Sequence, residues 1–428
     1  MNVMKEIKSS RIGDRYFEIN HSSGLKIFVY PKENYSTTYA VFGTKYGSVD
    51  TCFKTSEETE MNTVPNGIAH YLEHKLFESE DGDAFARYAK TGASANAYTS
   101  FDKTCYLFSC SEKVYESLEI LLDFVQSPYF TEQTVQKEQG IIGQEIRMYD
   151  DDPQWRVMFN LLRAIYHKHP VKIDIAGTVE SIAKITPELL YKCYHTFYNL
   201  NNMVLCVAGN VDVYKVLELC DKMLKPSKNV AIDRSFEEEP EGVVESRVEQ
   251  KLSVAAPIFQ LGFKEKAGKN RLSAREIADT EILLEILASD ASPLFRRLLD
   301  AGLINQSSFA YEYFEGPGYA SVIFSGESKD PDAVAQEIKK EVAGLREHGL
   351  DPAAFERSKK AVYGRMVSSF NSVDNIANTM VSLAFTGHEL FNYIDTIASA
   401  DIQSVQNRLK VQLKPEYSAL SIVRPVEE

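Results

Sequence analysis

Two histidines and a glutamate in one short segment have the residue types and the spacing of a metal-binding site. His70 and His74 are four residues apart, so on a helix both imidazoles project from the same face, about one turn apart. Two neutral imidazoles at that separation can occupy two corners of a tetrahedral zinc site. Glu73 flanks the same face, where we expect its carboxylate to reach a metal-bound water rather than the metal.

The order of these residues is the reverse of HExxH, a zinc motif of metalloproteases. Zinc lowers the pKa of a bound water, and a nearby carboxylate can remove a proton and later donate it to a leaving amine. The motif therefore predicts hydrolysis with Glu73 as the general base. The alternative is a solvated helix face on which the three side chains have no chemical role.

A catalytic zinc needs a third protein ligand, and Glu145 is the leading candidate. It lies in a helix predicted for 131–148, which Thr131 is expected to cap and Pro153 to terminate. Glu138 precedes Glu145 by seven residues, which is two helical turns, so both carboxylates face the same way. One of them can bind the metal while the other accepts a hydrogen bond from a ligand imidazole.

Another pair of histidines has a less specific pattern. His167 and His169 are two residues apart and directly precede Pro170. A second metal site is one interpretation, but a surface turn is the default. Trp155, which follows Pro153, is expected to be a packing anchor.

Short strands and helices surround the candidate site. β-branched and aromatic residues predict strands at 25–30, 38–46, 97–109 and 202–209. A turn at 64–67 leads into a helix predicted for 68–77, and the apolar residues of 114–124 share one helical face. The candidate ligands would therefore lie on two helices, 68–77 and 131–148.

The length of 428 residues exceeds one ordinary core and predicts two domains. Residues 225–250 are polar, contain proline and include a block of acidic residues, as is typical of a linker. We therefore predict a metal-binding domain at 1–225, a linker at 226–250 and a second domain at 251–428.

The second half of the chain repeats the element order of the first half. Aligning 85–89 with 295–299 places His70 to His74 on residues 280–284, which contain no histidine. A later match places Glu138 on Ser358 and Glu145 on Arg365. The second domain is therefore expected to keep the fold without the metal ligands.

Composition excludes several classes of function. The formal net charge of −14 disfavours binding to nucleic acid and to anionic membranes. The N-terminal residues lack the apolar run of a secretory signal, and the apolar stretches are strand-sized rather than membrane-spanning. The six cysteines form no CxxC pair, so we expect reduced thiols and a cytoplasmic location.

The motifs resemble those of the pitrilysin–insulinase metallopeptidase family, which includes the mitochondrial processing peptidases. The resemblance extends over nearly the whole chain, and within the family it is strongest to the bacterial YmfH-type branch. The matching segments are 67–74, 92–100, 138–145, 169–170, 177–182 and 202–204.

This resemblance implies an α+β fold. The expected architecture is two homologous α/β roll domains of the LuxS/MPP-like type that enclose a chamber, each with a mainly antiparallel sheet backed by helices. It also implies one Zn²⁺ per chain, bound by His70, His74 and Glu145. Glu73 would be the general base, and Glu138 would support a ligand.

Residues 95–99 resemble the family's substrate-binding edge strand. We expect Ala95, Asn96, Ala97 and Thr99 to contact an extended peptide, because an unpaired strand edge offers backbone hydrogen bonds without strict sequence demands. Asn96 would donate to a substrate carbonyl; the alternative is a turn residue before the strand.

One departure from the family pattern concerns the second half. Active single-chain relatives usually carry an arginine and a tyrosine there, seven residues apart, and Leu298 and Asn305 occupy these positions. The nearby candidates that fall out of alignment are Arg296, Arg297, Tyr311 and Tyr313. We favour a heterodimer in which a same-fold partner supplies the pair. The alternative is a chain that works alone, or as a homodimer, with displaced substitutes.

Taken together, the sequence predicts a zinc-dependent endopeptidase that acts on peptides or unfolded segments. A non-catalytic scaffold or peptide-binding subunit is the first alternative, although it predicts lost ligands and the first half has lost none. A zinc hydrolase of non-peptide substrates is the second alternative.

Overall fold

The computed structural model describes residues 2–80, 82–265 and 272–426. The strands of the first half are β1 Val3–Lys8, β2 Arg15–Asn20, β3 Lys26–Pro31, β4 Thr38–Thr44, β5 Cys52–Thr55, β6 Asn62–Thr63, β7 Glu78–Ser79, β8 Gly82–Asp83, β9 Ser94–Thr99, β10 Thr104–Cys110, β11 Met203–Gly209 and β12 Ile232–Arg234. The helices of this half are α1 Ile68–Leu76, α2 Ala84–Thr91, α3 Val114–Val125, α4 Glu132–Asp151, α5 Pro153–Ile165, α6 Val179–Ile182, α7 Pro187–Phe197 and α8 Val213–Met223.

The second half continues with strands β13 Arg247–Leu252, β14 Ile258–Glu265, β15 Ala310–Gly316, β16 Tyr319–Glu327 and β17 Ser418–Pro425. Its helices are α9 Ala274–Ala288, α10 Pro293–Asp300, α11 Pro331–His348, α12 Pro352–Ser369, α13 Val373–Thr386, α14 Leu390–Ala398 and α15 Ile402–Val411. Within the described ranges, every helix is too short or too polar to cross a lipid bilayer.

The chain folds into two compact units, and neither is a continuous stretch of sequence. Unit 1 consists of Met1–Ile146, Asp174–Ser235 and Val367–Phe391. Unit 2 consists of Arg147–Ile173, Phe236–Met366 and Asn392–Glu428. Each unit includes a segment from the other half of the sequence. The predicted domains 1–225 and 251–428, with their linker 226–250, stay a prediction, and their bounds differ from those of the two compact units.

Unit 1 is built on a sheet with the strand order β1-β2-β3-β11-β4-β10-β9. All its pairs are antiparallel except β3–β11. Adjacent residues of a strand face opposite sides of a sheet. A Cβ on Gly43 of β4 would meet α13 side chains, whereas Tyr106 of β10, which pairs with Phe42 of β4, contacts Phe124 of α3. Helices therefore cover both faces of this sheet.

Unit 2 is built on a sheet with the strand order β13-β17-β14-β16-β15, in which only β13–β17 is parallel. The strands β3-β11-β4-β10-β9 of unit 1 have the same order and the same pattern of directions. This agreement confirms the predicted repeat at the level of topology. The predicted α+β class, with mainly antiparallel sheets backed by helices, is also confirmed.

One helix from each half of the sequence packs on the sheet whose strands come from the other half. Helix α5 comes from the first half and packs on β14 and β17 of unit 2, where Val157 forms a core with Ile258 and Val423. A Cβ on Gly262 of β14 would meet the ends of the Ile165 and Leu161 side chains of α5, so the glycine allows these side chains to pack close to the strand. Helix α13 comes from the second half and packs on β4 and β11 of unit 1.

The predicted helices 68–77, 114–124 and 131–148 are confirmed as α1, α3 and α4. Thr131 caps α4, since its Oγ1 accepts a hydrogen bond from the Thr134 amide at 3.2 Å. The single strand predicted for 97–109 is wrong. It is the hairpin β9–β10, closed by a turn in which the Ser100 amide donates to the Lys103 carbonyl at 2.8 Å. Strand-forming residues on both sides of this turn made the partly exposed strand β9 and the buried strand β10 look continuous.

Gly67 precedes α1 and is expected to be intolerant of substitution. Its φ of +88° favours glycine, and a Cβ would overlap the carbonyl of Ala176. Gly67→Ala should therefore lower the free energy of unfolding by about 2–5 kcal/mol, measured by urea denaturation. Gly92 is the matched control, because its φ is +75° but its Cβ would meet nothing within 4 Å. Equal losses in the two variants would contradict the steric argument.

Candidate metal centre

Helix α1 places the motif residues against the edge of the unit 1 sheet. It packs on β9 and β10, and this packing buries His70 and Glu73. The rings of His70 and His74 lie 4.6 Å apart, as one turn of helix requires. Both imidazoles therefore lie on one face of a helix, as their four-residue spacing predicts.

Helix α4 brings Glu145 to the two imidazoles. Its Oε1 lies 3.7 Å from His70 Nε2, and its Oε2 lies 3.6 Å from His74 Nε2. One ligand atom from each of the three residues falls within 4.8 Å of the others, and this is the sole such His/Cys/Asp/Glu group among the described residues. Tetrahedral zinc with bonds of about 2.1 Å separates its ligands by roughly 3.4 Å, so the donor set fits zinc with little movement.

Glu138 supports one of the imidazoles from behind. Its Oε1 accepts a hydrogen bond from His74 Nδ1 at 3.1 Å, which directs His74 Nε2 toward Glu145. Of the two α4 carboxylates, Glu145 therefore lies near both Nε2 atoms, and Glu138 lies at the Nδ1 of His74. His70 differs, because its buried Nδ1 has no hydrogen-bond partner among the residues that the structure describes.

The imidazoles differ in their affinity for protons. Burial lowers the pKa of His70, and the neighbouring His74 lowers it further, so His70 is neutral and ready to coordinate. Burial also opposes protonation of His74, but the hydrogen bond to Glu138 and the charges of Glu73 and Glu145 outweigh it and raise the His74 pKa.

Glu73 lies beside the donor set but outside it. Thr99 Oγ1 donates a hydrogen bond to Glu73 Oε2 at 2.6 Å. Burial raises the pKa of Glu73, although the bond from Thr99 opposes the rise. A carboxylate with a raised pKa binds a proton more readily, which suits a general base.

The predicted substrate strand is the outermost strand of its sheet. Among the described residues, β9 pairs with β10 alone, so its other edge offers backbone groups for an added strand. Asn96 lies inside β9, paired with Leu107, so the alternative of a turn residue before the strand is wrong. Its Oδ1 accepts from the Ala97 amide at 2.9 Å.

Two contacts of β9 were not predicted from the sequence. Thr99 was expected to contact substrate, but its hydroxyl bonds to Glu73. Tyr98 donates to the Asn378 amide oxygen of α13 at 3.0 Å, which fixes the opposite face of the strand. Strand alternation indicates that Tyr98 faces away from Ala97 and Thr99, but no local pattern identifies its partner.

His167 and His169 do not join a metal cluster in the described part of the chain. His169 Nε2 bonds to the Pro317 carbonyl at 2.8 Å, and its Nδ1 accepts from the Val171 amide at 3.1 Å. Both ring nitrogens are therefore used within the fold. His167 is exposed, but His169 is buried, so the prediction of a surface turn is wrong for His169.

Comparison with known proteins places the chain in a family. The sequence profile of the insulinase family, peptidase family M16, matches residues 57–179, and that of the peptidase M16 inactive domain matches residues 184–362. The chain is 39% identical to the uncharacterized zinc protease YmfH of Bacillus subtilis (strain 168), over 99% of this chain and 100% of that protein. The chain therefore belongs to the insulinase family of peptidases, which confirms the predicted resemblance.

Solved structures agree with this assignment. A protein of Alicyclobacillus acidocaldarius described as M16-like peptidase is 35% identical, with a TM-score of 0.91 over 99% of both chains. Pitrilysin matches with a TM-score of 0.76 at 16% identity, over 99% of this chain and 47% of its own, which shows the shared fold alone.

Glu138→Gln is expected to weaken zinc binding by about 10–100-fold, because the neutral amide is a weaker acceptor for His74. Zinc affinity measured by competition with a chelator dye would test this expectation. Glu132→Gln is the matched control, since Glu132 lies in the exposed first turn of the same helix. If both variants bind zinc as the wild type does, Glu138 does not support the site.

Proposed function

We propose that the protein is a zinc-dependent endopeptidase that hydrolyses peptides or unfolded segments. The single observation that carries the proposal is the convergence of His70, His74 and Glu145 within 4.8 Å beside Glu73. In this proposal the first three residues bind one zinc ion, and Glu138 orients His74. Membership of the insulinase family and the likeness to a protein named zinc protease support the choice of metal and reaction.

The roles of the side chains follow from their positions. A bound zinc ion would lower the pKa of a coordinated water and polarise the scissile carbonyl. Glu73 would take the proton from the attacking water and donate it to the leaving amine. Thr99 would hold Glu73 in place through its 2.6 Å hydrogen bond.

We propose that the substrate adds to β9 as an extended strand. The backbone of residues 94–99 would supply the hydrogen bonds. The side chains of the peptide would lie beside Ala95 and Ala97 on one face of the strand and beside Asn96 on the other. Because Thr99 of the same strand bonds to Glu73, a peptide on β9 would lie beside the general base. This geometry favours an extended peptide over a small non-peptide substrate.

The proposal includes a same-fold partner that supplies an arginine and a tyrosine. Leu298 is fully buried, and the Asn305 amide donates to Glu327 at 3.2 Å, so the two aligned positions cannot supply the pair. The nearby substitutes are each bonded within unit 2: Arg296 to Asp300, Arg297 to Glu341, Tyr311 to Glu285 and Tyr313 to Glu265. A heterodimer is therefore proposed ahead of a homodimer.

Cleavage of peptides of different lengths tests this function. The purified chain, alone and with candidate same-fold proteins, should cleave peptides of about ten residues or more, lose activity with a chelator and regain it with zinc. Faster hydrolysis of small amides or esters than of peptides would favour the non-peptide alternative. Peptide binding without cleavage under every condition would favour the scaffold alternative.

A further inference from the structure

Unit 2 contains a cavity of about 210 Å³ that the proposed hydrolysis does not use. The end of α9, the start of α10 and parts of α11 and α12 line it. In the internal repeat, Ser358 of α12 occupies the position of Glu138. Ser358 is 7% exposed, lines the cavity and has no hydrogen-bond partner in the described part of the chain. Its hydroxyl can donate and accept a hydrogen bond at the cavity wall, so a bound molecule can bond to it.

The cavity has charged groups of both signs. Glu285 and Glu341 line it, and each is paired with an arginine outside the lining, Arg365 and Arg297 respectively. A third lining carboxylate, Asp351, accepts hydrogen bonds from the backbone amides of Ala353 and Ala354. Arg357 lines the solvent-exposed side of the cavity, and among the described residues its guanidinium has neither an ion-pair nor a hydrogen-bond partner. The cavity can therefore hold an anionic group at Arg357 and an ammonium group at the two carboxylates.

The helix ends reinforce this polarity. Helix α9 ends at Ala288, and its C-terminus carries a partial negative charge. Helix α10 begins at Pro293, and its N-terminus carries a partial positive charge. Both helix ends border the cavity. Ile286 and Leu345 add aliphatic surface to the lining. The volume equals that of about seven waters of about 30 Å³ each, which is the size range of a small organic molecule.

We propose that this cavity binds a free aliphatic α-amino acid. Its carboxylate would bond to Arg357 and Ser358, its ammonium group to Glu285 and Glu341, and its side chain would contact the aliphatic part of the lining. A zwitterion would place its negative charge at Arg357 and its positive charge at the two carboxylates, whereas a simple anion or cation would use only one of these groups. The site lies in unit 2, whereas the metal centre lies in unit 1, so it does not depend on the proposed peptidase activity.

Calorimetric titration of the full chain with L-leucine tests the proposal. Saturable binding is expected with a dissociation constant on the order of 1 mM or tighter, the range accessible to so small a ligand. N-acetyl-L-leucine lacks the ammonium charge and L-leucinamide lacks the carboxylate. Each should bind at least about tenfold more weakly, because one charged hydrogen-bonding group is lost.

Variants locate the binding. Arg357→Gln should weaken leucine binding by about tenfold or more, whereas Lys360→Gln, on the same helix but outside the lining, should leave it unchanged. The Glu73→Gln protein should bind leucine as the wild type does, so this result stands apart from any peptidase result. Absence of saturable leucine binding, or equal binding by the Arg357→Gln variant, would overturn the proposal.

Discussion

Replacing Glu73 by glutamine is expected to lower kcat/KM for peptide cleavage by about a thousandfold while the zinc content stays that of the wild type. Glutamine has nearly the same shape and can keep the contact with Thr99, but it cannot accept a proton. The loss should appear mainly in kcat, because proton removal belongs to the transition state and not to the binding of the peptide.

The measurement pairs steady-state kinetics with elemental analysis of zinc in the same preparations. Glu132→Gln, which removes a carboxylate from the exposed start of α4, should retain wild-type kinetics. If the Glu73→Gln protein cleaves peptides as fast as the wild type, Glu73 is not the base. If it loses zinc as well as activity, Glu73 belongs to the donor set, contrary to the assigned role.

Replacing His70 by alanine should remove most of the zinc affinity, by a factor of several hundred or more. Zinc sites in small proteins bind with about 10–16 kcal/mol, so one of a few protein ligands carries roughly 3–4 kcal/mol. His70 gives a cleaner test than His74, because no described protein group hydrogen-bonds to its Nδ1. Loss of His74 would also remove the hydrogen-bond partner of Glu138.

His195→Ala is the matched control for this experiment, since His195 is an exposed histidine of unit 1. Zinc affinity should be measured at a pH above the raised pKa of His74, where protons do not compete for that ligand. A His70→Ala protein that binds zinc with wild-type affinity would show that the metal, if bound, sits elsewhere.

Local chemistry was enough to predict much of the metal centre. The four-residue spacing of His70 and His74 placed both on one helical face, and the seven-residue spacing of Glu138 and Glu145 placed two carboxylates on another. Spacing alone could not show that α1 and α4 meet, because their contact depends on packing between residues far apart in sequence. That expectation came from the family resemblance.

Contacts made through the sheet were harder to predict. The bond between Thr99 and Glu73 requires β9 to end beside α1, which depends on strand pairing that periodicity does not specify. The β9–β10 turn was missed because it contains neither glycine nor proline and lies between two segments of strand-forming residues. The packing partners of α5 and α13 could not be predicted, because an amphipathic pattern indicates that a helix packs on another element but does not identify that element.

Helices α5 and α13 each pack on the sheet formed by the other half of the sequence, and this affects folding during synthesis and the design of fragments. During synthesis, β4 and β11 leave the ribosome long before α13, Val373–Thr386. The surface that α13 covers on these strands therefore stays exposed until most of the chain has been made. A fragment ending at Ser235 would expose that surface permanently, and a fragment beginning at Phe236 would lack the helix that covers β14 and β17. Neither fragment is expected to fold by itself, whereas the two produced together could complement each other.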